Sequence, residues 1–299
     1  MNGFFNINKP VGMSSAAVVS VMKRLTGEKR VGHAGTLDPA AAGVLPIMVG
    51  RATRLFDYLV DRGKEYVAVC AFGTATDTQD ATGQVTEIGL DYPSEEQVKT
   101  ELKKLTGNIT QKPGMYSAVK VNGHRLYNLA RRGETVDVPE RVVHVEQIEL
   151  MGPEPDHAFR IHVVCGKGTY IRSLCHDLGQ LCGCPAHMRS LVRTRSGFFD
   201  IDEALNLEEA RTLAAEGRLT ETLIPLDFPI SGMPRMNAPK TLAKAVAAGA
   251  ALPLEKMEGT IPEEGCVIRV YLENAFWGIA QRKEEKLVWR ALMPPEEKE

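Results

Sequence analysis

Gly32-His33-Ala34-Gly35-Thr36-Leu37-Asp38-Pro39, followed closely by Gly43-Val44-Leu45-Pro46-Ile47-Met48-Val49-Gly50, is the stretch on which the reading of this sequence turns. From Gly32 to Gly43 the chain is too rich in Gly, Ala and Pro for a regular element, whereas Val44 to Val49 is a β-type run. A loop carrying one carboxylate therefore feeds a strand. Pro39 pushes Asp38 to extended geometry, and the glycines let backbone approach a ligand closely. An isolated Asp-Pro is an ordinary turn cap. With a strand directly after it, Asp38 would instead face a cleft floored by a sheet.

Upstream, Gly3 to Asn8 reads as a strand and Ala16 to Leu25 as a helix, capped at Ser14-Ser15 and closed by Gly27. Downstream, a helix is expected over about Ala52 to Asp61. Lys64 to Phe72 then alternates as a buried strand, with Tyr66, Ala68, Cys70 and Phe72 on one face. Gly73 to Gly83 is a polar loop. Ser94 to Leu105 is a helix with Ser94 as cap and Gln97 at the capping-box position. Met115 to Val121 reads as a strand before an Asn122-Gly123 turn, and His124 to Arg132 has helical spacing.

Val142 to Met151 and Ala158 to Cys165 alternate as strands. The Gly166-Lys167-Gly168 turn opens a helix with Ile171, Leu174, Leu178 and Leu181 on its apolar stripe. His187 to Phe199 reads as a strand, Asn206 to Glu216 as a helix and Pro225 to Pro234 as a linker. Met236 to Glu299 is a small β-rich unit, with a helix over Pro239 to Ala248 and β runs at Cys266 to Leu272, Phe276 to Gln281 and Leu287 to Leu292. The fold class is α+β: a mixed, largely antiparallel sheet with flanking helices and an appended β domain.

Composition narrows the function. With 299 residues, 43% hydrophobic and 25% charged, the chain suits two globular domains. The uncharged stretch Pro39 to Gly50 is 12 residues, too short to span a bilayer. The N-terminus lacks the basic and apolar regions of a secretory signal, so a cytoplasmic location is expected. Six cysteines imply no disulfide framework. Cys175, His176, Cys182, Cys184 and His187 cluster within 13 residues, but with no second knuckle, so no metal is expected. P-loop, GxGxxG, HExxH and GxSxG motifs are absent, which removes the usual signs of phosphoryl transfer, hydride transfer and common hydrolases.

The net charge of -2 conceals segregation. Arg160 to Gly197 holds six basic residues against Asp177 alone, and Gln111 to Val145 holds six against three acids. Asp200 to Asp227 holds eight acids against two arginines. Such a pattern is compatible with an anionic ligand docking on one face, and equally with solvated helix faces.

Eight blocks in order resemble the bacterial tRNA pseudouridine-55 synthases of the TruB type. They are Asn8 to Ser15 (NKPVGMSS), Gly32 to Pro39 with Gly43 to Pro46, Lys64-Glu65-Tyr66, and Gly73 to Gly83 with Thr76-Asp77-Thr78. Met115 to Lys120 (MYSAVK), Gly168 to Arg172 (GTYIR), Asp177-Leu178-Gly179, and Ala186-His187 leading to Leu191 and Arg193 complete the set.

The resemblance implies the pseudouridine synthase fold over about 1–230, a basic thumb insertion at about 113–141, and a PUA-like RNA-binding domain over 236–299. It implies isomerisation of uridine to pseudouridine at position 55 in the TΨC loop of tRNA, with base flipping and no cofactor. Asp38 is then the nucleophile, and Arg172 the opposite charge that keeps it ionised, expected in a two-pronged contact. Tyr66 stacks on the base and offers its hydroxyl for proton transfer. His33, Tyr170 and Leu191 contact substrate, whereas Lys9 and Pro10 buttress the loop. Lys120, Arg125, Arg131 and Arg132 would contact RNA from the thumb. The expected partner is the T-arm stem-loop, with no membrane and no nucleotide cofactor, and the enzyme is expected to be a monomer. Two other readings are a non-catalytic RNA-binding or RNA-folding protein, and the catalytic subunit of a guide-RNA-directed pseudouridylase.

Overall fold

The structure is a computed structural model that describes residues 1–295 other than 118, 122, 131 and 135. Its larger sheet is built from β1 (Gly3–Lys9), β2 (Val31–His33), β3 (Ala41–Val49) and β4 (Lys64–Phe72). After a small hairpin of β5 (Thr74–Thr76) and β6 (Val85–Ile88), the sheet resumes with β7 (Gly107–Gln111). A second small hairpin, β8 (Lys120–Val121) and β9 (His124–Arg125), precedes β10 (Arg141–Glu154), β11 (Ala158–Cys165), β12 (Ala186–Ser196) and β13 (Phe199–Asp200). The spatial order is β1-β3-β12-β4-β11-β10-β7, with β2 on β3 and β13 on β12. Every pairing is antiparallel except β3 with β12. The expected mixed, largely antiparallel α+β sheet is what the chain forms.

The parallel seam positions the site. Leu191, Val192 and Arg193 of β12 lie beside Ala41, Ala42 and Gly43, so β12 runs along the start of β3, just after the Asp38 loop. On its other side β12 sets Arg193 against Tyr66 and Leu191 against Ala68 of β4. Gly43 makes the seam possible. Its φ is +105°, and a Cβ there would lie 2.2 Å from the carbonyl oxygen of Arg193.

Helices flank the sheet. In chain order they are α1 (Ser15–Thr26), α2 (Phe56–Val60), α3 (Glu95–Leu102), α4 (Leu126–Ala130), α5 (Ile171–Cys182) and α6 (Leu207–Ala215). The exception is α4, which packs within the insertion. Ser14 caps α1 by accepting from the Ala17 amide, and Gly27 closes it at φ 68°. α5 buries Ile171, Leu174, Cys175, Leu178 and Cys182 against Ala68, Cys70 and Phe72. Leu181, expected on that stripe, is exposed, because a 3.6-residue repeat from Ile171 carries the buried face through Cys175 and Cys182.

Other expectations shift locally. The helix foreseen at 52–61 is a 3₁₀ segment, Gly50–Leu55, followed by α2. Among the described residues of the foreseen 115–121 strand, only Lys120–Val121 is β, and the foreseen 124–132 helix is replaced by β9 and α4 over His124 to Ala130. Part of the 73–83 loop pairs as β5, and Gly197 (φ 60°) separates β12 from β13. The foreseen linker is a packed connection, with Ile230 fully buried beside Phe4 and Phe199.

The last part of the chain forms a second sheet around its own core. It comprises β14 (Arg235–Ala238), α7 (Ala243–Ala247), β15 (Leu252–Pro253), β16 (Val267–Leu272), β17 (Ala275–Lys283) and β18 (Lys286–Leu292), in the strand order β14-β16-β17-β18-β15. It docks firmly on the first unit. Ile279, Ala291 and Met293 share a core with Phe4, Leu55 and Phe199, Arg54 donates to the Leu292 carbonyl at 2.6 Å, and Tyr271 donates to Asp227.

Candidate active site

Buried polar side chains hold the Asp38 loop. Ser15 Oγ donates to the Leu37 carbonyl at 2.9 Å and accepts from the Leu37 amide at 2.8 Å. Arg193, 1% exposed, donates to the carbonyls of Val44 (2.8 Å), Gly35 (3.1 Å) and Thr36 (3.5 Å). With each of its three nitrogens bonded to a carbonyl, this buried guanidinium favours one loop conformation, since another would leave its donors unpaired. Lys9 is fully buried, and its Nζ donates to the carbonyls of Pro10 and Met13. Burial lowers its pKa to about 8, outweighing the attraction of Asp38, and Arg193 acts in the same direction as burial.

Arg172, in the first turn of α5, forms an ion pair with Asp38, Nε to Oδ2 at 3.0 Å. The guanidinium is 7% exposed and the carboxylate 40%. The contact is not the expected fork. Nη1 donates to the Thr78 carbonyl at 2.9 Å and Nη2 to the Tyr116 carbonyl at 2.8 Å. Asp80 stands 3.9 Å from Nη1, its Oδ1 accepting from the hydroxyls of Thr78 and Thr82 and the amide of Thr82. One arginine thereby ties the Asp38 loop to the Thr78–Thr82 turn and to the insertion.

Two cavities meet at this pair. One, of about 310 Å³, brings together Asp38, Tyr66, Tyr170 and Leu191, with Arg193 and Lys64 on its wall. The other, of about 500 Å³, is lined by His33, Thr78, Asp80, Tyr116 and Tyr127. Thr36, Leu37, Asp38, Ser117 and Arg172 belong to both. His33 therefore lies on the other side of Asp38 from Tyr66, Tyr170 and Leu191.

Burial pushes the Tyr66 phenol above its ordinary pKa, with the neighbouring Arg193 acting in opposition. Burial, aided by Arg193, lowers the His33 imidazole, and His33 Nδ1 is buried without a hydrogen-bond partner among the described residues. Tyr170 is fixed at its backbone, where the Gln111 side chain accepts from its amide at 3.0 Å and donates to its carbonyl at 3.1 Å. The Arg141 guanidinium lies 5.8 Å from its ring centroid.

Of the four basic residues expected to contact RNA from the thumb, Arg132 lines neither cavity. Arg131 and the side chains of Lys120 and Arg125 lie outside the described residues, and Arg132 is exposed. The insertion reaches the site instead through Tyr116 and Ser117. Among the described residues no three His, Cys, Asp or Glu side chains are placed to hold a metal. Cys175, Cys182 and Cys184 are core, and His187 Nδ1 is 2.9 Å from the Thr74 carbonyl oxygen.

Sequence reasoning missed Arg193, Asp80, Ser117 and Lys64 as site residues. The alternation of β12 carried the signal for Arg193, which follows Leu191 by two and so shares its face.

Residues 23–171 match the family model described as TruB family pseudouridylate synthase (N terminal domain), and residues 172–231 that described as tRNA pseudouridylate synthase B C-terminal domain. The tRNA pseudouridine synthase B of Bacillus licheniformis is 46% identical over 257 residues, 84% of this chain and 83% of that protein. That of Dehalococcoides mccartyi is 40% identical over 282 residues, 94% and 92% of the two chains. A chain of a crystallised Cbf5-Nop10-Gar1 complex superposes with a TM-score of 0.72 at 26% identity, covering 98% of this chain and 84% of that one. The chain belongs to the TruB family of pseudouridylate synthases.

Proposed function

We propose that this chain isomerises uridine to pseudouridine at position 55 in the TΨC loop of tRNA, with Asp38 as nucleophile acting on a flipped-out base. The observation that carries this reading is the Asp38–Arg172 ion pair at the junction of two cavities, in a chain of this family.

The reaction breaks the C1′–N1 bond, turns the base and joins C1′ to C5. The C5 proton is lost and N1 gains one, so atoms and electrons balance without redox or a co-reactant. A carboxylate divides this exchange into two steps by bonding transiently to the nucleoside at C1′ or C6, both beside the glycosidic bond. It must be ionised to do so, and the buried guanidinium of Arg172 supplies the opposing charge. Tyr66 and Leu191 wall the cavity in which the base would lie, and the neutral Tyr66 phenol is available for the proton transfer. Unpairing the base costs a few kcal/mol, which stacking and phosphate contacts offset. The thumb and the C-terminal β unit, read as PUA-like, would supply those contacts.

The chain is proposed to act alone, as a monomer. Six free cysteines accord with a reducing cytoplasm, and among the described residues no helix is long and apolar enough to cross a membrane.

The test is incubation of the purified chain alone with an unmodified T-arm stem-loop, followed by mapping of pseudouridine as a chemical adduct. Multiple turnovers at the T-loop uridine are expected. Binding without conversion would favour the RNA-folding reading, and conversion only with an added guide RNA the guide-directed one.

A further inference from the structure

Ser117 is 3% exposed, and its Oγ has no hydrogen-bond partner among the described residues. Leaving a buried hydroxyl unpaired costs free energy that any ligand group bonding to it would recover. Ser117 is also one of the five residues that line both cavities. Its backbone is fixed from two sides. The carbonyl of Tyr116, immediately before it, accepts from Arg172 Nη2 at 2.8 Å, and its own carbonyl accepts from the Tyr127 amide at 3.1 Å. The arginine paired with Asp38 thus holds the segment that carries this hydroxyl.

We infer that Ser117 is a substrate-holding residue whose hydroxyl bonds the ribose 2′-hydroxyl of the target nucleotide. The inference rests on the reaction proposed above. If the base occupies the cavity walled by Tyr66 and Leu191, the glycosidic bond lies at Asp38, where the cavities join, and C2′ is one bond from C1′. A neutral hydroxyl that can donate and accept suits another hydroxyl, whereas a phosphate beside the Asp38 carboxylate would meet like charge. A 2′-hydroxyl is also the group that distinguishes RNA from DNA. Held there, the sugar stays in place while the detached base turns.

The test is a cycle between protein and substrate, measuring single-turnover rates at saturating stem-loop. Wild-type and Ser117→Ala chains are each given a T-arm stem-loop with uridine or 2′-deoxyuridine at the target. With uridine, Ser117→Ala should slow the rate by about three- to tenfold, the worth of one neutral hydrogen bond. With 2′-deoxyuridine, the two proteins should react at rates within about twofold of each other. A purely structural defect would slow both substrates alike, and that result overturns the inference, as does a Ser117→Ala chain as fast as wild type on uridine. Ser117→Thr, which keeps the hydroxyl, should recover part of the rate on uridine alone. If the wild-type chain makes no pseudouridine, the proposed function fails and takes this inference with it. If it does and the cycle shows no coupling, only the role of Ser117 fails.

Discussion

Arg172 meets Asp38 through Nε, while its two terminal nitrogens are committed to the carbonyls of Thr78 and Tyr116. The pair therefore does more than balance charge. The guanidinium is a junction between three segments far apart in sequence, and Asp38 receives the one nitrogen left over. Arg172→Lys offers one ammonium on a flexible stem for tasks that need a planar fork. Turnover should fall by about 100-fold or more, the scale of losing a preorganised polar contact in a catalytic site. Binding of the stem-loop should weaken much less. Unchanged turnover in single-turnover assays would remove Arg172 from the site.

Asp38→Asn keeps the shape of the side chain and removes the nucleophilic oxygen. Conversion should drop below about 0.1% of wild type, because the covalent step has no substitute. RNA binding should stay within about tenfold, since losing one negative charge reduces repulsion with phosphate. Substantial pseudouridine formation by a verified Asp38→Asn preparation would sink the nucleophile assignment.

The positions of Tyr66 and Leu191 illustrate what was legible in the sequence. Alternation along 64–72 placed Tyr66 on one face with Ala68, Cys70 and Phe72, and that face packs in the main core. The caps Ser14, Gly27 and Ser94 bounded helices to within a residue or two. Leu191 and Arg172 entered through resemblance, because nothing local marks a strand leucine or a helical arginine as facing a cavity. Arg193 and Ser117 stayed hidden for a different reason. Their roles arise from the parallel β3/β12 seam and the return of the insertion onto α5, long-range pairings; alternation along β12 puts Arg193 on the face of Leu191 but does not say that this face meets the Asp38 loop. The 115–121 segment shows the same limit: the Tyr116 carbonyl, which a strand would pair, instead accepts from Arg172.

Asp177 on α5 gives a pH prediction. Burial raises its carboxyl to about 6, with the neighbouring His176 acting against that shift. A raised carboxyl pKa means the folded state holds the proton more tightly than the unfolded one, so stability falls as pH rises from about 4 to 6, and the loss persists above it. Asp177→Asn removes the buried charge. After allowance for solvent screening it should stabilise the fold by about 1 kcal/mol at pH 7.5. The gain should shrink at pH 5 and vanish near pH 4. Melting curves at the three pH values check this, and a gain independent of pH would mean that ionisation of Asp177 is not the cause.

The thumb arginines should govern RNA affinity more than chemistry. Arg132 is exposed, and with Arg131 before it in the sequence the pair suits phosphate contacts on a basic segment. Neither is proposed to touch the reacting base. Each phosphate neutralised contributes roughly 0.7–0.9 to the slope of log affinity against log salt. Changing both arginines to Ala should therefore weaken binding of tRNA and flatten that slope by about 1.5. Turnover at saturating RNA should fall less than affinity does, because Arg172 still reaches Tyr116 and the Asp38 pair is untouched. Filter-binding titrations across a salt series, beside single-turnover rates at saturation, separate the two effects. A double mutant with unchanged affinity and slope would mean that the thumb is not the clamp, and Arg160, Lys167, Arg189 and Arg195, which unlike Arg172 and Arg193 reach the surface, would be the basic residues to test next.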